Sequence, residues 1–351
     1  RRAELRTILS EHEYGYAPGG AITNMLDDPS VVTCRETRKP EPNMCAGKVT
    51  GEYFDVTFPT PMGEFSFPVC LFRPNHPVGI PSNRPLNRDK VPLVIHINFR
   101  PLVPDKYFPL EEITDQGFAA AQVYYEDITS DNGDYTNGLA GHYPEYGTEE
   151  GNRTPTAWGK LRMWAYALSR LMDVLQRRDD IFTDKIFVAG HSRLGKTALV
   201  TAAFDDRFAG ACSNDSGCSG AAITRSKVGE TVEVISRVFP FWFCPNYRQY
   251  KDREYDMPFD QHFLLSLIVP RAILNGSAEQ DVWADPYNQF ISAALVKDVY
   301  KLYGMEGLVF SEDIPEAPVV LQDGDASFHT RLGTHYLGRE DWQRYIEFLN
   351  F

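Results

Sequence analysis

Strand-like and helix-like segments alternate from Val91 to the C-terminus, a hairpin signal precedes them, and one strand runs through Gly190-His191-Ser192 straight into a helix. Together these observations predict an α/β protein: a three-layer α/β/α sandwich with a mainly parallel central sheet and an antiparallel N-terminal hairpin. The chain has 351 residues, 43% of them hydrophobic, enough to bury a large core. No Ser/Gly-rich linker, internal repeat or long charge run marks a joint. Residues 46–351 therefore read as a single domain, with residues 1–45 as an arm wrapped over it.

That arm carries turn-rich sequence, Tyr16-Ala17-Pro18-Gly19-Gly20 and Lys39-Pro40-Glu41-Pro42, after one short opening helix. Residues 49–58 and 64–72 alternate β-branched and aromatic side chains around Pro59-Thr60-Pro61-Met62-Gly63, which predicts the hairpin at a sheet edge. Residues 91–97 and 117–123 are short, nearly continuous apolar runs, as expected of strands covered on both faces. The polar, Gly- and Tyr-rich stretch between Tyr125 and Pro155 has little periodicity and reads as a surface loop able to frame a pocket. In 156–176, Leu161, Trp164, Ala165, Leu168, Leu171 and Met172 keep the spacing of a helix face laid on a sheet. Beyond it come strands at 185–190, 210–213, 272–277 and 319–321, with helices near 228–238, at 286–303 and at 339–350.

Charge and composition exclude several classes. The 48 acidic against 35 basic residues give a net charge of −13 with no Lys/Arg cluster, so no nucleic-acid partner is expected. The longest uncharged apolar stretch, 263–269, is far short of the ~20 residues that span a bilayer, so no membrane crossing is expected either. The chain starts at Arg1 with neither Met nor a hydrophobic leader, which suggests a mature form or a trimmed chain from which any signal peptide has gone, so export is not directly readable. The even set Cys34, Cys45, Cys70, Cys212, Cys218 and Cys244 permits disulfides, of which Cys34–Cys45 would close a short loop; none has CxxC metal spacing, and no metal or cofactor is expected.

Strand, Gly190-His191-Ser192, then helix is the layout of a nucleophile elbow, with Gly190 and Gly195 in a G-x-S-x-x-G pattern. A helix-capping serine would give the same short motif; the strand-to-helix context favours the elbow of an α/β-hydrolase. A serine hydroxyl needs a neutral imidazole to take its proton and a carboxylate to orient that imidazole. Only His262, His329 and His335 lie downstream of Ser192. His262 reads as a structural residue starting a helix, and spacing leaves His329 and His335 open. Asp281 and Asp215 compete as the acid, each in a loop after a strand, where a plain turn role is the bland alternative.

The chain resembles the glucuronoyl esterases, carbohydrate esterase family 15, through the elbow Gly190 to Leu199 and four further segments in order. These are Ser213 to Ala222, Gly229-Glu230-Thr231-Val232, Asp281 to Pro286, and His329 to His335 with Asp341-Trp342. The resemblance implies hydrolysis of esters that join 4-O-methyl-glucuronic acid on glucuronoxylan to lignin alcohols, by a secreted (extracellular or periplasmic) enzyme expected to act as a monomer. It assigns Ser192 as nucleophile, His335 as base with His329 supporting its loop, and Arg193 as the oxyanion-stabilising side chain. Lys196 and Glu230 would bind sugar hydroxyls and Trp283 would pack on the uronoyl ring; read without the resemblance, Trp283 is core packing and Glu230 a solvated surface charge. The family places its acid at the position of Asp215, usually as Glu, or of Asp281; Asp281 is favoured and Asp215, one methylene shorter than Glu, is its rival. Tyr336 departs from the Asp that many relatives carry after the histidine. An acetyl xylan or feruloyl esterase on the same fold is the nearest competing reading, and a non-catalytic carbohydrate-binding relative is disfavoured by the intact Ser192, His335 and acids.

Overall fold

The computed structural model describes residues 1–75, 90–103, 105, 108–225, 228–311 and 316–350. Their strands are β1 (Thr33–Asn43), β2 (Val49–Thr60), β3 (Gly63–Pro74), β4 (Val91–Asn98), β5 (Ala119–Tyr124), β6 (Ile181–His191), β7 (Gly210–Asn214), β8 (Ala272–Ala278), β9 (Val319–Leu321) and β10 (Ala326–Arg331). They form one sheet in the order β1-β2-β3-β5-β4-β6-β7-β8-β10-β9. From β5 to β10 the neighbours run parallel. β1 to β3 join antiparallel at one edge and β9 at the other.

Alternate residues of a strand face opposite ways, and β4 shows why its sequence is apolar throughout. Leu93, Ile95 and Ile97 enter the larger core with helices Lys160–Leu175 and Arg193–Phe204, while Val94 joins Ile113, Trp342 and Ile346 on the other face. Those two cores are the spaces between the three layers. In the hairpin, pairing runs unbroken from Val49↔Pro74 to Thr60↔Gly63, and Gly63 takes φ +109° at the turn. Expected helix 286–303 is two helices, Pro286–Leu295 and Lys297–Lys301.

Two strands escaped the sequence reading. β1 lies within the arm, every residue of it exposed, and its pairing with β2 slips at Arg38 and Glu41. An edge strand needs no apolar face and tolerates proline, here Pro40 and Pro42, so periodicity cannot find it. β10 is fully buried yet reads Ala-Ser-Phe-His-Thr-Arg, polar enough to resemble loop. No disulfide joins any two of the six cysteines, so the even set that permitted them, Cys34 and Cys45 included, forms none here.

The arm is pinned where residues Ser10–Tyr14 form a wide helical turn that buries Glu13 and Tyr14. Gln261 Nε2 donates to both Glu13 carboxyl oxygens, at 3.0 and 3.3 Å. Burial pushes the Glu13 carboxyl up to about 8; hydrogen bonds from Gln261 and Ser219 oppose this and Asp260 adds to it. The folded state therefore keeps a proton that the unfolded chain releases near its ordinary value of 4.5. Stability should fall as pH rises from about 5 to 8, by several kcal/mol from this group alone, at roughly 1.4 kcal/mol per pKa unit. Glu13→Gln should remove that component, so urea denaturation of the two proteins across this range should show the variant's pH dependence to be the flatter.

Candidate active site

β6 ends at His191, and the next residue, Ser192, sits at φ 57°, ψ −127°, before helix Arg193–Phe204 begins. Such a conformation costs a non-glycine residue about 1–3 kcal/mol and persists only where its surroundings enforce it. Ser192 N–H donates to Asn214 O at 2.8 Å, tying the turn to β7. The helix approaches β6 so closely that a Cβ on Gly190 would stand 2.1 Å from Leu194 O, and one on Gly195 2.9 Å from Asn214 O. Both glycines are required by contact, and the serine is lifted above the sheet edge at a helix N-terminus.

His335 follows β10 and Asp281 follows β8. The two loops are zipped by Glu279 N–H to Arg331 O (2.9 Å) and Gln280 N–H to Gly333 O (3.0 Å). This brings His335 Nδ1 to 2.6 Å from Asp281 Oδ2. Burial alone would raise Asp281, but the hydrogen bond to His335 and its charge prevail and hold the carboxyl below its ordinary value. With Nδ1 engaged, Nε2 is the nitrogen left to serve Ser192. Both residues line one cavity of about 350 Å³. Among the described residues no hydrogen bond joins them, and such a contact is commonly loose before substrate tightens it.

Asp215, after β7, reaches His335 differently. Its carboxylate, that of Asp281 and a His335 nitrogen lie within 4.8 Å of one another, yet its hydrogen bond comes from Ala278 N–H at 2.8 Å. Burial first, then the neighbouring Asp281 charge, pushes Asp215 up to about 7. A cation could find ligands in this trio, but His335 and Asp281 spend theirs on each other. His329, buried in β10, bonds Asp341 Oδ1 through Nε2 at 3.0 Å, and Arg331 Nε donates to the second Asp341 oxygen at 2.8 Å. The histidine that spacing could not rank is thus committed elsewhere.

Arg193 pairs with Asp131 and lies 4.9 Å from the centroid of the Trp242 ring. Asp131 also accepts from Trp242 Nε1 at 2.7 Å and Tyr125 OH at 3.3 Å. Lys196, nearly buried, donates to Ser216 O at 2.6 Å and stands 3.5 Å from Glu230. Glu230 N–H bonds Trp283 O at 3.1 Å, and Gly229 (φ +80°) lets the two loops touch. Glu230 is 6% exposed and Trp283 53% exposed. The residues read alone had these reversed, with the Trp inside and the Glu outside.

Asp131, Trp242, His191 and Asn214 were not singled out from sequence. His191 Nδ1 donates to Asn214 Oδ1 (2.7 Å), its ring lies 4.4 Å from the His335 ring, and burial pushes it down to about 4, hence neutral. The only sequence signal for Asp131 was its place in the aperiodic stretch flagged as a pocket frame.

A strained serine between strand and helix, with a carboxylate-oriented histidine from the last parallel strand's loop, places the chain in the α/β-hydrolase class. A family model described as "Glucuronyl esterase, fungi" matches residues 75–304. Carbohydrate esterase MZ0003, from an unknown prokaryotic organism, is 41% identical over 239 residues, 68% of this chain and 54% of that protein. The 4-O-methyl-glucuronoyl methylesterase of Podospora anserina is 26% identical over 284 residues, 78% of this chain and 50% of its own. The chain spans about half the length of these curated relatives. Among solved structures, a promiscuous CE15 esterase from a marine bacterial metagenome superposes with TM-score 0.83 at 29% identity, covering 99% of this chain and 90% of that one. A CE15 glucuronoyl esterase from Teredinibacter turnerae gives 0.84 at 27%, covering 99% and 83%. The chain belongs to the glucuronoyl esterase family, carbohydrate esterase family 15.

The contact at the turn is testable. Gly190→Ala forces backbone apart where none can yield, and should lower the unfolding free energy by about 3 kcal/mol, read as a drop in the urea midpoint at unchanged slope.

Proposed function

We propose that the chain hydrolyses esters of 4-O-methyl-D-glucuronic acid, as in glucuronoxylan–lignin linkages, through an acyl-enzyme on Ser192. The observation that carries this is the His335–Asp281 pair at 2.6 Å facing a cavity that Ser192 also lines. Ser192 Oγ attacks the uronate carbonyl while His335 Nε2 takes its proton; the C–O bond to the alcohol breaks and that proton goes to the leaving oxygen. Water, deprotonated by the same imidazole, then releases the acid. The Arg193 guanidinium and the N–H groups at the start of helix Arg193–Phe204 serve the oxyanion. Lys196 and Glu230 take sugar hydroxyls, and the exposed Trp283 face packs on the ring.

Asp281 is the orienting acid in this reading because it holds the hydrogen bond. Asp215, one methylene short of the reach a Glu would have and pushed towards neutrality, acts as its buried neighbour. No described helix is long and apolar enough to cross a membrane. Secretion and action as a monomer belong to the same proposal. Acetylated or feruloylated xylan is the competing substrate class on the same fold; turnover of those esters beside methyl glucuronate separates the two.

With a benzyl glucuronate ester, Ser192→Ala should lower kcat by about 10⁴-fold or more and Asp281→Asn by roughly 10³- to 10⁴-fold, whereas Asp215→Asn should retain most activity. Loss confined to Asp215→Asn would reverse the acid assignment, and undiminished turnover by Ser192→Ala would end the proposal. Asp131→Asn should cost about 10- to 100-fold in kcat with KM little moved, because it frees Arg193 from the position it must hold in the transition state. A change confined to KM would assign Asp131 to ground-state binding instead.

A further inference from the structure

The base stands on exposed chain. Leu332, Thr334, His335 and Tyr336 are all exposed in the loop after β10, and the His335 side chain itself is 41% exposed. Asp281 holds Nδ1 at 2.6 Å, but a single hydrogen bond fixes one end of a ring and leaves its plane free to swing. Proton transfer from Ser192 needs Nε2 placed to about 0.5 Å and 10–20°, so a face of the imidazole has to be met as well. His191 meets it, with ring centroids 4.4 Å and planes 44° apart. His191 closes β6 and immediately precedes Ser192. The nucleophile and the ring against which the base rests therefore belong to one rigid turn.

The His191 ring is itself fixed, and the neighbouring groups dictate how. Asp341, ionised and so an acceptor only, takes the hydrogen bond of Asn214 Nδ2 at 3.0 Å. That turns the amide oxygen the other way, to within 2.7 Å of His191 Nδ1. An amide oxygen cannot donate, so Nδ1 carries the proton and the lone pair is left at Nε2. Asp341 is held in turn by His329 Nε2, Arg331 Nε and Gly338 N–H, and Phe99 meets the His191 ring edge-on at 6.2 Å. Burial, and then the His335 charge, hold His191 down to about 4. When His335 becomes an imidazolium it thus faces an uncharged aromatic ring, which attracts a cation, and no second positive charge.

We propose that His191 is a positioning residue for the base: its neutral ring, anchored through Asn214 to Asp341, backs the His335 imidazole and keeps Nε2 turned to Ser192 through both proton transfers. The kinetic consequence rests on the acyl-enzyme reading; the orientation of His335 does not.

Two replacements separate the ring from its hydrogen bond. His191→Gln keeps a donor for Asn214 Oδ1 and removes the ring, whereas His191→Phe keeps a ring and removes the donor. With a benzyl glucuronate ester, His191→Gln should lower kcat about 100-fold, the effect of a misplacement of about 1 Å, with KM within about twofold. His191→Phe should recover at least about tenfold of that loss. Equal losses in the two variants, a change confined to KM, or undiminished kcat in His191→Gln overturns the proposal. Proton NMR of the His335 Nδ1–H, bonded to Asp281, provides a readout that needs no turnover. Its downfield resonance should be seen in the wild type and in His191→Phe and be lost to solvent exchange in His191→Gln. That pattern supports the positioning role even if the wild type cleaves no glucuronate ester, an outcome that would sink the ester reading alone. A resonance that survives in His191→Gln, or is missing from the wild type, counts against the role whatever the esters do.

Discussion

The site depends on how near helix Arg193–Phe204 can come to β6. The 2.1 Å that would separate a Gly190 Cβ from Leu194 O means that strand and helix are in backbone contact at the turn, and that contact, with the Ser192 N–H bond to Asn214 O, holds the otherwise unfavourable Ser192 conformation. The turn then sets several positions at once. It lifts the hydroxyl, aligns the helix N-terminus beneath it, points Arg193 at the aromatic and acidic wall of residues 125–242, and buries Lys196 one turn on, beside Ser216 O. A helix displaced outward by the width of a methyl group would lose all four.

Around this turn the protein separates three buried carboxyl groups by their partners rather than by depth. Asp281 and Asp341 each meet a histidine, and Asp341 an arginine as well; these partners outweigh burial and hold both below the ordinary carboxylate range. Asp215 lies between them with a backbone donor and, at 3.7 Å, the far edge of Arg331. Burial then dominates, and the charge of Asp281 adds to it. Adjacent loops thus offer one carboxylate able to stabilise an imidazolium and one that resists ionising beside it, which is why proximity to His335, shared by both, is a poorer guide to role than the hydrogen bond.

How much of this could be read from the residues follows from what each kind of signal encodes. Strands covered on both faces are apolar throughout, so β4, β5 and β6 were legible; so was the hairpin, whose alternation and turn residues agree. The elbow was legible because its close packing leaves glycines in the sequence. Spacing could not choose between His329 and His335, since the choice turns on β10, a buried strand whose polar side chains, His329 and Arg331 bonded to Asp341 among them, hide its strand character. β1 has no apolar face to betray it. Asp131 sits in an aperiodic loop and pairs with Arg193, 62 positions on, a contact that local pattern cannot encode. Trp283 and Glu230 show the deeper limit: the hydrophobic effect predicts an average, and at this proposed binding surface the tryptophan stays outside and the glutamate, matched by Lys196, goes in.

That matching has a consequence for the proposed chemistry. The two cationic side chains of the proposed site are each met by a carboxylate of this chain, Arg193 by Asp131 and Lys196 by Glu230, and the whole molecule carries a net charge of −13. An uncharged uronate ester meets no opposing charge on entry, and the transient oxyanion is served by the oriented donors at the helix start and by a guanidinium already held in place. Hydrolysis then turns the same sugar into a carboxylate. The cations nearest it are already paired, and the surrounding field is negative, so the product gains less from staying than the substrate gained from binding. Such a balance favours turnover over retention, and it follows from pairing the cations rather than from leaving them bare to grip an acid.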